Sequence, residues 1–148
     1  MTNYARTASW LAACGKHPSL ENASVQIGCQ IEEFCELLRT LRTDSDGYAK
    51  LLARTCDDLE WFAGKLKRGE QMVHVPLHLR ADALDALCDI EVTGNGVAYM
   101  LGMDKPRADR AVLDSNDDKL EDGKPVILPG GKIGKRPGWE APDLTGFV

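Results

Sequence analysis

Two short stretches place acids at helical spacing. QIEEFCELL, residues 30–38, holds Glu32, Glu33 and Glu36, with pairs at i,i+3 and i,i+4. DALDALCDIE, residues 82–91, holds Asp82, Asp85 and Asp89 at three- and four-residue intervals, with no Lys or Arg inside it. Such spacings stack side chains on one side of a helix, where like charges cost about 0.2–0.5 kcal/mol per pair. Carboxylates that converge repel unless they are protonated or neutralised by a cation. A hard divalent ion with oxygen ligands, Mg²⁺ or Mn²⁺, resolves the repulsion, and Mg²⁺ is usually bound together with substrate phosphates. The chemistry this points to is nucleotide chemistry. The competing reading is a solvated acidic face on each helix, and the spacing alone leaves both open.

Basic groups suited to phosphate come later. SNDDK supplies Asn116 and Lys119, and GGKIGKR supplies Lys132, Lys135 and Arg136 among three glycines. Glycines let backbone N–H groups approach an anion, and Lys or Arg adds charge. The alternative is a flexible basic tail. The segment is not a Walker A loop, because no Ser or Thr follows its lysines. His74 and His78 lie four apart, but Pro76 between them argues against one uninterrupted helix and so against a metal pair. His17, before Pro18, reads as an exposed loop residue. The five cysteines (Cys14, Cys29, Cys35, Cys56 and Cys88) are odd in number, form no C-x-x-C, and read as buried reduced thiols.

The elements that must position these groups are helical in pattern. A short amphipathic segment over residues 4–14 offers Trp10, Leu11 and Cys14 to a core and ends at Gly15. Ser19 can cap a second helix, residues 20–41, whose apolar positions are Val25, Ile27, Ile31, Phe34, Leu37, Leu38 and Leu41. A third helix, residues 48–68, carries Leu52, Leu59, Phe62, Ala63 and Leu66 inward, with Leu51 and Cys56 beside them, and ends at Gly69. A fourth starts near residues 77–79, carries the three aspartates beside Leu84, Leu87 and Ile90, and stops at Gly102. Gly94 and Gly96 inside it cost about 1 kcal/mol each against Ala, which suggests a close helix contact or a break. Asp104 can cap a fifth, short helix with Pro106 near its start and Ala108, Ala111 and Val112 on its apolar side. Beyond Asn116 the chain turns rich in Gly, Pro and Lys, with a small hairpin at most around residues 126–132. The expected organisation is all-α: a helical bundle of four to five helices over residues 1–116 and an irregular C-terminal extension over 117–148 that packs on the bundle or on a partner subunit. If the apolar stripes of the second and fourth helices face each other, the two acidic edges converge.

With these segments in order, the chain resembles the all-α nucleoside triphosphate pyrophosphohydrolases, the superfamily of MazG, dimeric dUTPases and phosphoribosyl-ATP pyrophosphohydrolase. EEFCE, residues 32–36, resembles the EExxE motif. DALCDIEVTGNGVAYMLGMD, residues 85–104, resembles the second acidic helix of the phosphoribosyl-ATP pyrophosphohydrolase-like branch found in bacteria and phages. SNDDKLEDGKPVILPGGKIGKRPGWEAPDL resembles that branch's C-terminal extension, so the likeness runs over residues 19–144. It implies a MazG-like bundle, assembly as a homodimer or homotetramer, and Mg²⁺-dependent hydrolysis at the α–β phosphate bond to a nucleoside monophosphate and pyrophosphate. Glu33, Glu36 and Asp89 match metal ligands. Glu32 matches the first acid, as a further ligand or the base that orients water, so Glu32 and Glu33 are the expected catalytic pair. Asn116 and Lys119 match a substrate-contacting pair, with Lys132, Lys135 and Arg136 as phosphate contacts. Trp139 or Tyr99 is expected to contribute to a base-stacking pocket. The second motif of the superfamily is ExxD, and here the position three before Asp89 is Ala86. Asp85 is the nearest substitute on the same side. The departure keeps a second reading alive: a catalytically weakened protein of this fold that binds a nucleotide or a protein partner.

The bulk numbers are compatible with either. At 148 residues, 43% hydrophobic and 28% charged, the chain suits one globular domain. Net charge −5 and a pI near 5.2 argue against binding a nucleic-acid polymer over the whole surface. No apolar run reaches 18 residues, and no basic segment followed by an apolar one opens the chain, so a cytoplasmic protein away from membranes is expected.

Overall fold

Capping chemistry sets where the helices begin. In the computed structural model, which describes residues 1–127 and 133–148, Thr2 Oγ1 accepts from the Ala5 amide and Ser19 Oγ from the Asn22 amide. The Asp104 carboxylate accepts from the Arg107 amide, with Pro106 in the first turn behind it. The helices are α1 (Asn3–Ala13), α2 (Leu20–Thr40), α3 (Asp46–Lys67), α4 (Arg80–Met100) and α5 (Lys105–Asp117). A turn of 3₁₀ helix, Leu77–Leu79, leads into α4, and another, Thr145–Phe147, lies at the C-terminal end. Gly69 shows how they stop. At φ +67° its amide bonds the Leu66 carbonyl while the Glu70 amide reaches Lys65, closing α3 in a Schellman turn. Gly15 and Gly102 close α1 and α4 in the same way.

The expected all-α class holds. Among the described residues β structure is confined to β1 (Leu120–Glu121), paired antiparallel with β2 (Lys124–Pro125), and a bridge from Ile127 to Ile133. Asp122 and Gly123 both take positive φ, +50° and +74°, as a two-residue type I′ turn requires. The Asp-Gly dipeptide thus turns a hairpin that was not expected, while the antiparallel bridge from Ile127 to Ile133 and the bond from the Gly134 amide to the Val126 carbonyl pair the two sides of the stretch where a small hairpin was expected.

The chain divides into two compact units, Pro18–Pro76 and the combination of Met1–His17 with Leu77–Val148. The first is an antiparallel hairpin of α2 and α3. Its inner stripe is built from small groups: Ser24, Gly28 and Cys35 face Cys56, Ala63 and Leu66, all buried. A Cβ at Gly28 would stand 2.9 Å from the Ala63 carbonyl oxygen, so the helices approach as closely as glycine allows. Ser24 Oγ also accepts from the Val73 amide at 3.0 Å, tying the connector to the hairpin. The expected α2 stripe is corrected in part. Ile27, Ile31 and Leu38 are half-buried, but Phe34, Leu37 and Leu41 are exposed, as is Leu51 on α3. Two helices bury only one narrow strip of each other, and the larger residues flank that strip.

In the second unit α1, α4 and the terminal 3₁₀ turn all pack on α5. Cys14 and Ala98 are its buried apolar residues, with Trp10 and Leu11 half-buried. The Asp104 amide bonds the Phe147 carbonyl at 2.8 Å, and the Arg107 guanidinium lies 5.0 Å from the Phe147 ring. The expected inward stripe of α4 is not met: Leu84, Leu87 and Ile90 are more than half exposed. Nor are all cysteines buried. Cys14, Cys35 and Cys56 are, Cys29 is half-buried and Cys88 is exposed, and all five are free thiols.

Candidate functional site

The expected site residues fall into three groups, one in the α2–α3 hairpin and two in the other unit. On α2, Glu32 and Glu36 line a hollow shared with Glu60, Gly64, Lys67 and Arg68 of α3. The i,i+4 spacing that turns both glutamates toward α3 is the one the sequence offered. Two of the three carboxylates there are already offset by cations. Glu32 is ion-paired with Lys67. Glu60 receives both Nε and Nη2 of Arg39, at 2.7 and 2.8 Å, and this fork holds its carboxyl below the usual range. Among the described residues no cation pairs with Glu36, so it is the hollow's uncompensated carboxylate. Glu33 is on the exposed side of α2.

On α4, Asp85 and Asp89 stand one helical turn apart on an exposed face, with Asp82 a turn earlier. At 100° per residue this row lies opposite Leu87 and Gly94. Thr93 Oγ1 bonds back to the Asp89 carbonyl at 2.8 Å, leaving the carboxylate to solvent. Ala86 presents only a methyl group where a glutamate is expected. Each acidic helix thus offers a pair of hard oxygen donors, a chemistry that suits Mg²⁺ or Mn²⁺. Among the described residues, however, no group of three or more His, Cys, Asp or Glu side chains is gathered to hold a metal ion. His74 and His78 are exposed and share no helix.

The third group forms at the C-terminal end of α5, and residues far apart in sequence meet there. Trp10 of α1 donates its indole N–H to the Asn116 carbonyl at 2.8 Å. Trp139 of the extension donates its own to the Ser115 carbonyl at 2.9 Å. Two carbonyls of the last turn thus receive an indole each, that of Ser115 from Trp139 and that of Asn116, which also accepts from the Lys119 amide at 3.2 Å, from Trp10. Lys119 Nζ donates to Asn116 Oδ1 at 2.7 Å and stands 6.0 Å from the Trp10 ring centre and 5.5 Å from that of Trp139. Lys135 Nζ lies 3.9 Å from the same Trp139 ring. Two ammonium groups are therefore drawn to one indole by its negative face. Arg136 is engaged differently: its guanidinium grips Asp118 at the end of α5, at 2.5 Å to the carboxylate and 2.8 Å to the carbonyl. It locks the extension in place.

Of the five expected substrate contacts, Asn116, Lys119 and Lys135 are brought together, Arg136 is spent on Asp118, and Lys132 lies outside the described residues. Tyr99 is 79% exposed on α4. Trp10 is the participant that sequence reasoning missed. Its position on an amphipathic helix marks it for a core, and nothing in the spacing signals that its N–H reaches a carbonyl 106 residues away. No family model matches the chain, and no curated protein and no solved structure matches it either.

Proposed function

We propose that this chain is a Mg²⁺-dependent nucleoside triphosphate pyrophosphohydrolase of the MazG-like kind, cleaving the α–β bond of a nucleotide to a monophosphate and pyrophosphate. The observation that carries the reading is the gathering of Asn116, Lys119 and Lys135 around Trp139 and Trp10. An ammonium pair on an aromatic platform is suited to a ligand with an anionic chain and a stacking base. The acidic rows supply the other requirement. Mg²⁺ would be held by the acidic rows, by Glu33 and Glu36 on α2 and by Asp85 and Asp89 on α4, each row within its own unit, and it would offset phosphate charge and acidify a water. In this reading Glu32, ion-paired with Lys67, takes up the water's proton. Lys119 and Lys135 bind and orient the triphosphate, and Trp139 and Trp10 exclude water from one side of it. The superfamily's self-association belongs to the same reading, supported by apolar side chains left exposed on α2 and α4.

A screen of pyrophosphate release across nucleotides with Mg²⁺ and Mn²⁺ tests the proposal. Turnover is expected with at least one nucleotide and is expected to vanish in Glu36→Gln, whose circular dichroism stays unchanged. Unchanged turnover in that variant would rule out this site. Two observations favour a second reading, a nucleotide-binding protein weakened in catalysis: the methyl group of Ala86 in the acidic row, and the lack of a three-carboxylate group among the described residues. Calorimetric binding of Mg²⁺-nucleotide without any turnover would select it.

A further inference from the structure

On α5, Arg107, Arg110, Ala111 and Asp114 recur at intervals of three and four, so they share one side of the helix. With Phe147 they line an open hollow of about 450 Å³, all of it within one unit. The acids around it are already engaged. Lys105 holds Asp109 at 2.9 Å, and Arg6 holds Asp114 at 2.8 Å. Asp114 is the i+4 neighbour that Arg110 would otherwise pair with, and Arg6 draws it off. Among the described residues no acid pairs with Arg110. Arg107 meets Asp104 only at 3.5 Å, in an exposed contact that water or a ligand can replace. Its guanidinium lies 5.0 Å from the centre of the half-buried Phe147 ring, and Phe147 is fixed by the bond from the Asp104 amide to its carbonyl. Two guanidiniums one turn apart thus line a hollow beside an anchored aromatic ring.

We infer that this hollow binds a small phosphate monoester, with Arg107 and Arg110 on the phosphate and the Phe147 ring against the organic body. The geometry selects phosphate over carboxylate. Side chains at i,i+3 start about 5–6 Å apart, and each guanidinium presents a planar fork of donors. A carboxylate has one edge of two oxygens and fills a single fork. A phosphate monoester carries three terminal oxygens on a tetrahedron, so both forks can close on it. Asp114 on the wall does not oppose an anion, because Arg6 offsets its charge. The volume falls in the range of small-molecule sites, about 300–1,000 Å³. The hollow is separate from the group proposed to meet the nucleotide substrate. At about 100° per residue Asn116 falls on the opposite side of α5 from Arg107. Lys119, bonded to Asn116, gathers with Lys135 on Trp139 instead. The inference therefore goes beyond the proposed hydrolysis and does not depend on it.

The test titrates the full chain with phenyl phosphate and follows the arginine Nε–H resonances by NMR, which report place as well as affinity. The Arg107 and Arg110 signals are expected to shift together and to saturate at millimolar ligand. Arg110 is exposed, so Arg110→Ala is expected to keep the native melting temperature. It should weaken binding, read at Arg107, by roughly tenfold or more, the loss of one charge-assisted fork. Arg110→Lys restores the charge without the fork and should recover only part of the affinity. Inorganic phosphate, which leaves the ring unused, should bind roughly threefold or more weakly than phenyl phosphate. A titration that moves neither arginine overturns the inference. So does an Arg107 response that Arg110→Ala leaves unchanged. Full affinity in Arg110→Lys overturns it as well, since a point charge would then do what the fork is assigned. Inorganic phosphate bound as tightly as phenyl phosphate also overturns it, because the hollow would then take a bare anion. These readouts lie at arginines that the proposed hydrolysis does not use, so a negative pyrophosphate screen would leave a saturable, Arg110-dependent site standing.

Discussion

One lysine and two glycines carry the sharpest consequences of single substitutions. Lys135 stands over the Trp139 ring and forms no ion pair among the described residues. If it binds phosphate, Lys135→Ala removes a charge-assisted contact of about 1.5–3 kcal/mol, so KM rises at least tenfold while kcat changes little. Steady-state kinetics on the nucleotide found in the screen checks this, and an unchanged KM would return Lys135 to a structural role. The glycines respond in opposite senses. Gly28→Ala gains about 1 kcal/mol of helix propensity but drives a methyl group to 2.9 Å from the rigid Ala63 carbonyl and 3.0 Å from Leu66 Cβ. Overpacking costs about 1–3 kcal/mol, so the net effect is destabilising by about 1 kcal/mol. Gly96→Ala meets nothing within 4 Å on an exposed face of α4 and should stabilise by about 1 kcal/mol. Urea denaturation of the two variants compares them directly. A residue list cannot separate these glycines, because what differs is the neighbour across the gap.

At the scale of elements, the helices were legible because their ends are chemical. Ser19, Asp104, Pro106, Gly15, Gly69 and Gly102 cap or stop the chain where periodicity begins and ends. Burial was less legible. Period 3.6 marks one face of α2 as apolar but does not say how wide a strip its neighbour covers, and Gly28 and Ser24 take the inner positions from Phe34 and Leu37. The acidic rows were legible as rows. Their partners were not, since Lys67 sits 35 residues from Glu32 and Arg39 sits 21 from Glu60. The end of α3 shows what such pairs do with pH. Glu70 accepts from Arg68 Nε and Lys65 Nζ, each at 2.5 Å, which holds its carboxyl down at about 2 against an ordinary 4.5. A depressed carboxyl stabilises above its ordinary value and loses that contribution as pH falls through its folded one. The C-terminal turn of α3 should therefore loosen between about pH 4.5 and 2, visible as lost amide protection at Arg68–Gln71. In Glu70→Gln the loss should be present already at neutral pH and respond little to acid. All three groups are solvated, so about 1 M salt should shrink the native effect.

For the whole molecule, the decisive arrangement is that both chain ends dock on α5. Arg6 of α1 holds Asp114 and Asp117, at 2.8 and 2.5 Å. Trp10 and Trp139 satisfy neighbouring carbonyls of α5, Arg136 grips Asp118, and the 3₁₀ turn at the C-terminus covers the helix start. A 13-residue helix of low mean hydropathy has little propensity to stand alone, since nucleation is costly and tertiary contacts supply most helical stability. The segments that hold α5 also carry the lysines and tryptophans proposed to meet substrate, so in that proposal folding and binding share the same contacts. Trp139→Ala should then act at two levels. Truncating a half-buried tryptophan and orphaning the Ser115 carbonyl should cost about 2–3 kcal/mol in the unit that holds α5. Hydrogen exchange should show lost protection across α1 and α5, while amides of the α2–α3 hairpin, a compact unit of its own, keep theirs. Trp139→Phe keeps most of the ring but lacks the N–H, so it should recover most of the apolar term while the Ser115 carbonyl stays unpaired. Since Lys119 and Lys135 both gather on this ring, a protein that stacks nucleotide there should bind it more weakly in Trp139→Ala than in Trp139→Phe. If both variants bind equally, the ring serves the fold alone and the base is received elsewhere.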